Sequence, residues 1–106
     1  MQTTRPGVEW IARTDDVGVR VNTLGADQRT PWHFHSVVTD TIFALDEGIS
    51  VELREPDTAV ALRPGERIQI QPRRVHRVVN GSAAREARYL LVQATGTYDF
   101  QVVETP

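Results

Sequence analysis

Hydrophobic residues along this chain recur at every second position in short runs, and Gly, Pro, Asp and Asn separate the runs. Residues 49–53 are typical, since Ile, Val and Leu alternate there with Ser and Glu. Successive side chains of a strand point to opposite faces, so this alternation predicts strands with one buried and one wet face. Residues 17–22 alternate in the same way, with Val at the odd positions. We expect Gly18, Arg20 and Asn22 to form the wet face of that strand.

Turn residues divide the chain into about nine or ten such strands. They include Asp-Glu-Gly at 46–48, Pro-Gly at 64–65 and Asn-Gly-Ser at 80–82. Residues 87–93 are the most apolar stretch and are predicted to form a central strand. A weak helical candidate at 83–87 is too short to nucleate alone. Short strands without helices predict an all-β sandwich or barrel.

The composition narrows the class of protein. The chain has 106 residues, which we assign to one domain spanning residues 1–106. It has no cysteine, which excludes disulfides, thiolate catalysis and iron–sulfur clusters. A net charge of -2 and a pI near 5.9 argue against a nucleic-acid partner. Because no apolar stretch is long enough to cross a membrane and the first residues lack a signal-peptide layout, we expect no membrane partner and a cytoplasmic location.

Three histidines are the most informative residues of the sequence. His33 and His35 are two positions apart, so an extended strand would direct both imidazoles to the same face, where they could bind one ion. An exposed pair at a strand edge is the alternative for so short a motif. The third histidine, His76, lies in a β-branched run.

The residues around these histidines resemble the two sequence motifs of the cupin superfamily. The first motif reads His-x-His, then Glu and Gly, and the second reads Pro-x-Gly, then His and Asn. Their positions are occupied here by His33, His35, Asp40 and Gly48, and by Pro72, His76 and Asn80. The resemblance covers about residues 17–93 and implies a single-domain cupin β-barrel, also called a jelly roll or double-stranded β-helix. An N-terminal strand and a C-terminal tail would flank this barrel.

Two departures from the family pattern affect the site. Asp40 replaces the usual Glu with a side chain one methylene shorter, and one extra residue separates it from Gly48. Arg74 replaces the glycine of the second motif, so the turn before His76 cannot use glycine's freedom to adopt a positive φ.

The resemblance implies that His33, His35 and His76 bind one divalent metal, with Asp40 as a further candidate ligand. Imidazoles and a carboxylate without thiolate suit Fe, Mn, Ni, Co, Cu or Zn, and they leave coordination positions for water or substrate. Strand alternation would turn Asp40 inward together with Ile42.

Two residues are candidate substrate ligands. If Arg74 faces inward like His76, its guanidinium could hold a substrate carboxylate in bidentate fashion near the metal. The alternative is a solvated arginine that pairs with surface acids. Tyr98 could donate a hydrogen bond into the cavity or could simply pack on the barrel mouth.

Trp32 and Phe34 alternate with His33 and His35 along the chain, so their side chains should point to the opposite face, outside the barrel. They would then pack against the N-terminal strand around Trp10 and Ile11, or against a second subunit. Resemblance to small cupins favours a homodimer.

Three functions remain open at this point. The first is a metalloenzyme acting on a small carbonyl- or carboxylate-bearing molecule, as a dioxygenase with iron or as an isomerase or lyase with another metal. No separate catalytic dyad is evident, so its catalytic residues beyond the metal site are unassigned. The second is a non-catalytic small-molecule-binding or storage cupin. The third is a barrel in which the histidines only fill space, because fold does not determine function.

Overall fold

Ten short strands make up the fold in a computed structural model, which describes residues 7–104. The predicted domain also includes residues 1–6 and 105–106, which lie outside the described part. The strands are β1 (Val8–Arg13), β2 (Val17–Leu24), β3 (His33–Phe34), β4 (Thr39–Ala44), β5 (Ile49–Leu53), β6 (Thr58–Ala61), β7 (Arg67–Ile70), β8 (His76–Asn80), β9 (Ala87–Ala94) and β10 (Gln101–Val102). Within residues 7–104 no helix occurs that could span a membrane.

The strands form two antiparallel five-stranded sheets. One has the order β1-β2-β9-β4-β7 and the other β10-β3-β8-β5-β6. The hydrophobic core lies between them, with Ile42 and Leu91 from the first sheet and Val51 and Val78 from the second. The all-β prediction is confirmed, and β9 is central in its sheet as predicted.

The inner face of most strands follows the predicted alternation. In β4, Asp40 and Ile42 are buried, and in β8 so are His76, Val78 and Asn80. The predicted helical candidate is wrong, because residues 83–84 form a bend, residues 85–86 have no regular structure and β9 begins at Ala87.

The predicted orientation of β2 is also wrong. Arg20 and Asn22 line the interior cavity, whereas Val19 and Val21 are half-buried on the other face. The same cavity is lined by His33, His35 and Asp40, so its wall is polar and hydrophobicity does not mark the inner face of β2.

The motif residues Gly48 and Asn80 close one end of the barrel. Gly48 has a φ of +105°, and a Cβ there would lie 2.7 Å from Oδ1 of Asn80. The two N–H groups of the buried Asn80 amide are shared by three acceptors, the carbonyls of Leu24, Gly25 and Arg85. These contacts connect β2, β8 and the segment before β9, so Asn80 is a structural residue.

Candidate metal centre

The structure brings together all four predicted metal ligands. One side-chain atom from each of His33, His35, Asp40 and His76 lies within 4.8 Å of the others. All four residues are at most 5% exposed. Ligand atoms around an ion with metal–ligand bonds near 2.1 Å lie about 3–4 Å apart, so a contraction of less than about 2 Å would close the group on an ion.

Two cross-strand pairs place these side chains face to face. His33 lies opposite His76 where β3 pairs with β8, and their ring centres are 4.4 Å apart. Asp40 lies opposite Gln93 where β4 pairs with β9 in the other sheet. The group therefore spans the space between the two sheets.

Each histidine is oriented by a backbone carbonyl at its Nδ1. The His33 Nδ1 donates to the carbonyl of Pro31 at 2.7 Å, and the His76 Nδ1 donates to that of Arg74 at 2.8 Å. The His35 Nδ1 donates to the carbonyl of Asp99 at 2.6 Å. A donor proton on Nδ1 leaves the Nε2 lone pair of each neutral ring free as a ligand, which is the usual second-shell arrangement of metal-binding histidines.

Asp40 is the acceptor at the centre of the group. Its Oδ2 lies 3.0 Å from Nε2 of His35 and 3.0 Å from Nε2 of His76. Its Oδ1 accepts a hydrogen bond from Nε2 of Gln93 at 2.9 Å. Asp40 reaches the histidines although its side chain is shorter than the Glu of the family motif.

The donor set fits a metal cation. With all three Nδ1 atoms protonated, two Nε2 lone pairs face a carboxylate oxygen, and this arrangement is repulsive unless a proton or a cation lies between them. A divalent ion would serve both Nε2 lone pairs and the carboxylate oxygen at once, whereas one proton can serve only one of the two contacts.

The pKa values reflect this competition. Burial lowers the pKa of His33 from 6.5 to about 4. Burial also disfavours the charged form of His35, but the hydrogen bond and negative charge of Asp40 outweigh it and raise the pKa of His35 above 6.5. Burial alone would raise the pKa of Asp40, yet hydrogen bonds from His35 and His76 hold it well below its usual range.

A small cavity of about 40 Å³ adjoins the group, and its walls include Ile42, Leu91 and Tyr89. The ring of Phe100 stacks on His33 at 4.4 Å between ring centres. The predicted substrate ligand Tyr98 lies at the edge of the site, with its ring 5.4 Å from that of His35 and 43% of its surface exposed.

Arg74, the other predicted substrate ligand, is not brought into the group. Its guanidinium donates from Nε to the carbonyl of Arg54 and from Nη2 to that of Pro56. The turn before His76 has no glycine, and the preceding residue, Arg73, adopts the left-handed backbone there with a φ of 71°. This position gives no support to a contact between Arg74 and a substrate at the metal.

Trp32 points outward as predicted, but its partners differ from those expected. Its ring lies between the guanidinium groups of Arg54, at 4.2 Å, and Arg77, at 4.3 Å. Trp10 lies instead on β1, close to Gly18.

Four further residues near the site were not singled out from the sequence. They are Gln93, which binds Asp40, Asp99, whose carbonyl orients His35, and the inward-facing pair Arg20 and Asn22. The alternation of 87–93 would place Gln93 on the buried face of β9, and this pattern could have identified it. The sequence carries no comparable signal for the backbone carbonyl of Asp99.

Comparison with solved structures identifies the fold. A conserved protein with a double-stranded β-helix domain from Klebsiella pneumoniae matches with a TM-score of 0.77 and 21% identity over 99% of this chain and 90% of that one. The polyketide cyclase RemF from Streptomyces resistomycificus matches with a TM-score of 0.71 and 21% identity over 98% and 78%. A sugar phosphate isomerase of the cupin superfamily from Silicibacter pomeroyi gives 0.64 and 14% over 82% and 68%.

No protein-family model and no curated protein matches the chain. The fold and the His/Asp group define a cupin-type barrel with a candidate metal centre. The chain has the double-stranded β-helix fold of the cupin superfamily, which confirms the resemblance seen in its two sequence motifs.

Proposed function

We propose that this protein is a small metal-dependent cupin enzyme that acts on a small carbonyl- or carboxylate-bearing molecule. The observation that carries the proposal is the convergence of three carbonyl-anchored imidazoles and one carboxylate on a single buried point. Buried groups of this kind are costly without a partner ion. The metal is one of Fe, Mn, Ni, Co, Cu or Zn, because the donors are nitrogen and oxygen.

The roles of the residues follow from their positions. His33, His35 and His76 would hold the ion through Nε2, and Asp40 would hold it through Oδ2. Such an ion acts as a Lewis acid that polarises a carbonyl oxygen or lowers the pKa of a bound water. Gln93 fixes the carboxylate of Asp40 through its other oxygen.

The solved structures with this fold support an enzyme without determining the reaction. One is a sugar phosphate isomerase and another is a polyketide cyclase, so the fold carries reactions on small oxygenated molecules. Isomerase or lyase chemistry and, with iron, dioxygenase chemistry remain within the proposal.

Metal content tests the proposal directly. The untagged protein is reconstituted with each candidate metal, dialysed and analysed by plasma mass spectrometry beside a His33→Ala/His35→Ala double variant. We expect near-stoichiometric metal in the native protein and loss of metal in the double variant. The control is Val78→Ala, which removes a buried side chain beside His76 but no donor and should keep its metal. Absence of metal after reconstitution, or its retention by the double variant, contradicts the proposal.

The alternative is a binding or storage cupin with the same ion. Water-proton relaxation of the Mn²⁺-loaded protein separates the two, because a catalytic ion keeps exchangeable water and a saturated ion does not. The homodimer stays a prediction, which light scattering during size-exclusion chromatography checks.

A further inference from the structure

Arg20 lines the same cavity as the candidate metal ligands. It lies on β2, opposite Leu91 of β9, and its side chain projects to the inner face of the sheet. The cavity beside His33, His35 and Asp40 therefore has a cationic wall that the proposed metal centre does not use.

The Arg20 guanidinium lacks an anionic partner. Its Nε is buried and has no hydrogen-bond partner in the part of the chain that the structure describes. Within residues 7–104 the close ion pairs involve other residues. The groups flanking the guanidinium are the rings of Trp10, at 4.9 Å, and Tyr98, at 5.5 Å. Aromatic faces attract the guanidinium cation. They do not accept a hydrogen bond from the Nε–H, which points outward in the plane of the guanidinium group.

Asn22 presents a second unsatisfied atom to the cavity. Its Nδ2 donates to the hydroxyl oxygen of Tyr89 at 3.2 Å, while its buried Oδ1 has no donor among the described residues. Buried polar atoms are rarely left unpaired in native structures, so each such atom indicates a missing partner. Together the two atoms call for a ligand that accepts from Arg20 and donates to Asn22.

The charges around the cavity determine whether an anion or a cation is favoured as the ligand. Asp40 is the only acid among the described residues that line this cavity. With a divalent ion bound, Asp40 offsets one of the ion's two charges and Arg20 adds another, so the cavity keeps an excess of positive charge. An anion is favoured there and a cation is excluded.

Size limits the ligand further. The cavity measures about 40 Å³, and a second cavity of about 90 Å³, lined by Trp10 and Tyr98, shares Arg20 and Gln93 with it. A volume of about 40 Å³ accepts on the order of three water-sized groups. The ligand is therefore a few atoms long where it meets the metal.

We infer that Arg20 and Asn22 form a carboxylate subsite that selects small hydroxy acids as ligands of the metal centre. The Arg20 guanidinium binds the carboxylate, and Oδ1 of Asn22 accepts from the neighbouring hydroxyl. The inference rests on the proposed function in one respect, namely that the ligand also binds the metal ion. It assigns to Arg20 the carboxylate contact that the sequence suggested for Arg74.

Isothermal titration with glycolate and its neutral analogue glycolamide tests the subsite. The Zn²⁺-loaded protein is titrated at pH 7.5 and low salt, together with Arg20→Gln, Arg20→Lys and the control Arg13→Gln. Arg13 also lies over the Trp10 ring, at 4.5 Å, but it does not line the histidine cavity. We expect glycolate to bind the native protein and Arg13→Gln equally, and Arg20→Gln about 10- to 100-fold more weakly. Arg20→Lys keeps the charge and should lie between them.

Three outcomes overturn the inference. They are no glycolate binding by the native protein, binding by Arg20→Gln within twofold of native, and equal binding of glycolamide and glycolate. The last comparison uses the native protein alone, so it holds even if Arg20→Gln does not fold.

The metal content of each sample separates this inference from the proposed function. If the native protein takes up no metal, the proposed function fails, and titration of the metal-free protein still decides whether glycolate binding depends on Arg20. If metal is present and glycolate binds native protein and Arg20→Gln equally, the subsite is refuted and the proposed function is not.

Discussion

Replacing Asp40 by Asn tests whether the carboxylate is a metal ligand. The amide has the same shape, so Oδ1 can still accept from Gln93, while Nδ2 takes the place of the oxygen that lies 3.0 Å from the Nε2 atoms of His35 and His76. An amide nitrogen has no lone pair to offer an ion. Loss of an outer-shell partner costs about 10- to 100-fold in metal affinity, and we expect loss of this ligand to cost at least about 100-fold.

The same substitution has a pH-dependent effect on the metal-free protein. Asp40 raises the pKa of His35 above 6.5, so the ion pair contributes stability that is complete below pH 6.5 and is lost as the pH rises through the raised pKa. The low pKa of Asp40 keeps it charged at pH 5.5. A hydrogen bond between charged groups contributes about 2 kcal/mol to the free energy of unfolding, or about 10 °C in Tm for a domain of this size.

The melting temperature of Asp40→Asn is compared with that of the native protein at two pH values. In chelator at pH 5.5, Asp40→Asn should melt about 10 °C below the native protein. At pH 9 it should melt at the same temperature or higher, because its amide donates to the two Nε2 lone pairs that the carboxylate repels. Competition titration with a chromogenic Zn²⁺ chelator gives the affinity. A variant that binds Zn²⁺ within twofold of native, or a Tm difference that does not change with pH, would refute the reasoning.

Two further predictions concern pH and the closed end of the barrel. Zn²⁺ affinity should fall by at least about tenfold per pH unit as the pH decreases below the raised pKa of His35, because the ligand must be neutral, and His33 adds to the loss near pH 4. Constant affinity between pH 8 and pH 5 in the same chelator titration would contradict this. Asn80→Ala should lower the free energy of unfolding by about 3 kcal/mol, since three carbonyls lose their donor, yet urea-unfolded and refolded protein should regain full metal stoichiometry. Loss of metal at unchanged stability would instead place Asn80 in the site.

The sequence was sufficient to predict most of the strands and the grouping of these four side chains for a physical reason. Strand side chains alternate with a period of two, so the positions of His33, His35 and His76 relative to buried neighbours determine which face they share. The family motifs then relate two segments that are far apart in sequence. The group that the structure brings together is the one that this pattern predicts.

The orientation of β2 and the position of Arg74 could not be predicted in this way. Hydrophobicity identifies the inner face only where the interior is apolar, and the cavity side of β2 carries Arg20 and Asn22. Alternation also assumes a continuing strand, but β8 begins at His76, and the turn at Arg73 directs the following side chain towards other carbonyls. In both cases the direction of the side chain is determined by the surrounding barrel and not by alternation along the local sequence.

The carbonyl anchors of the three histidines have a consequence for redesign of the protein. Because Pro31, Arg74 and Asp99 orient the rings through backbone oxygens, exchange of their side chains leaves the acceptors of the three rings in place. The Asp99 carboxylate has a separate role, since it accepts a hydrogen bond from the backbone N–H of Ser36. Two of these oxygens lie two residues before their histidine, whereas the third lies 64 residues away in the tail. Changing the length of the loop before residue 99 would therefore disturb two rings at once, because the tail orients His35 through Asp99 and stacks on His33 through Phe100.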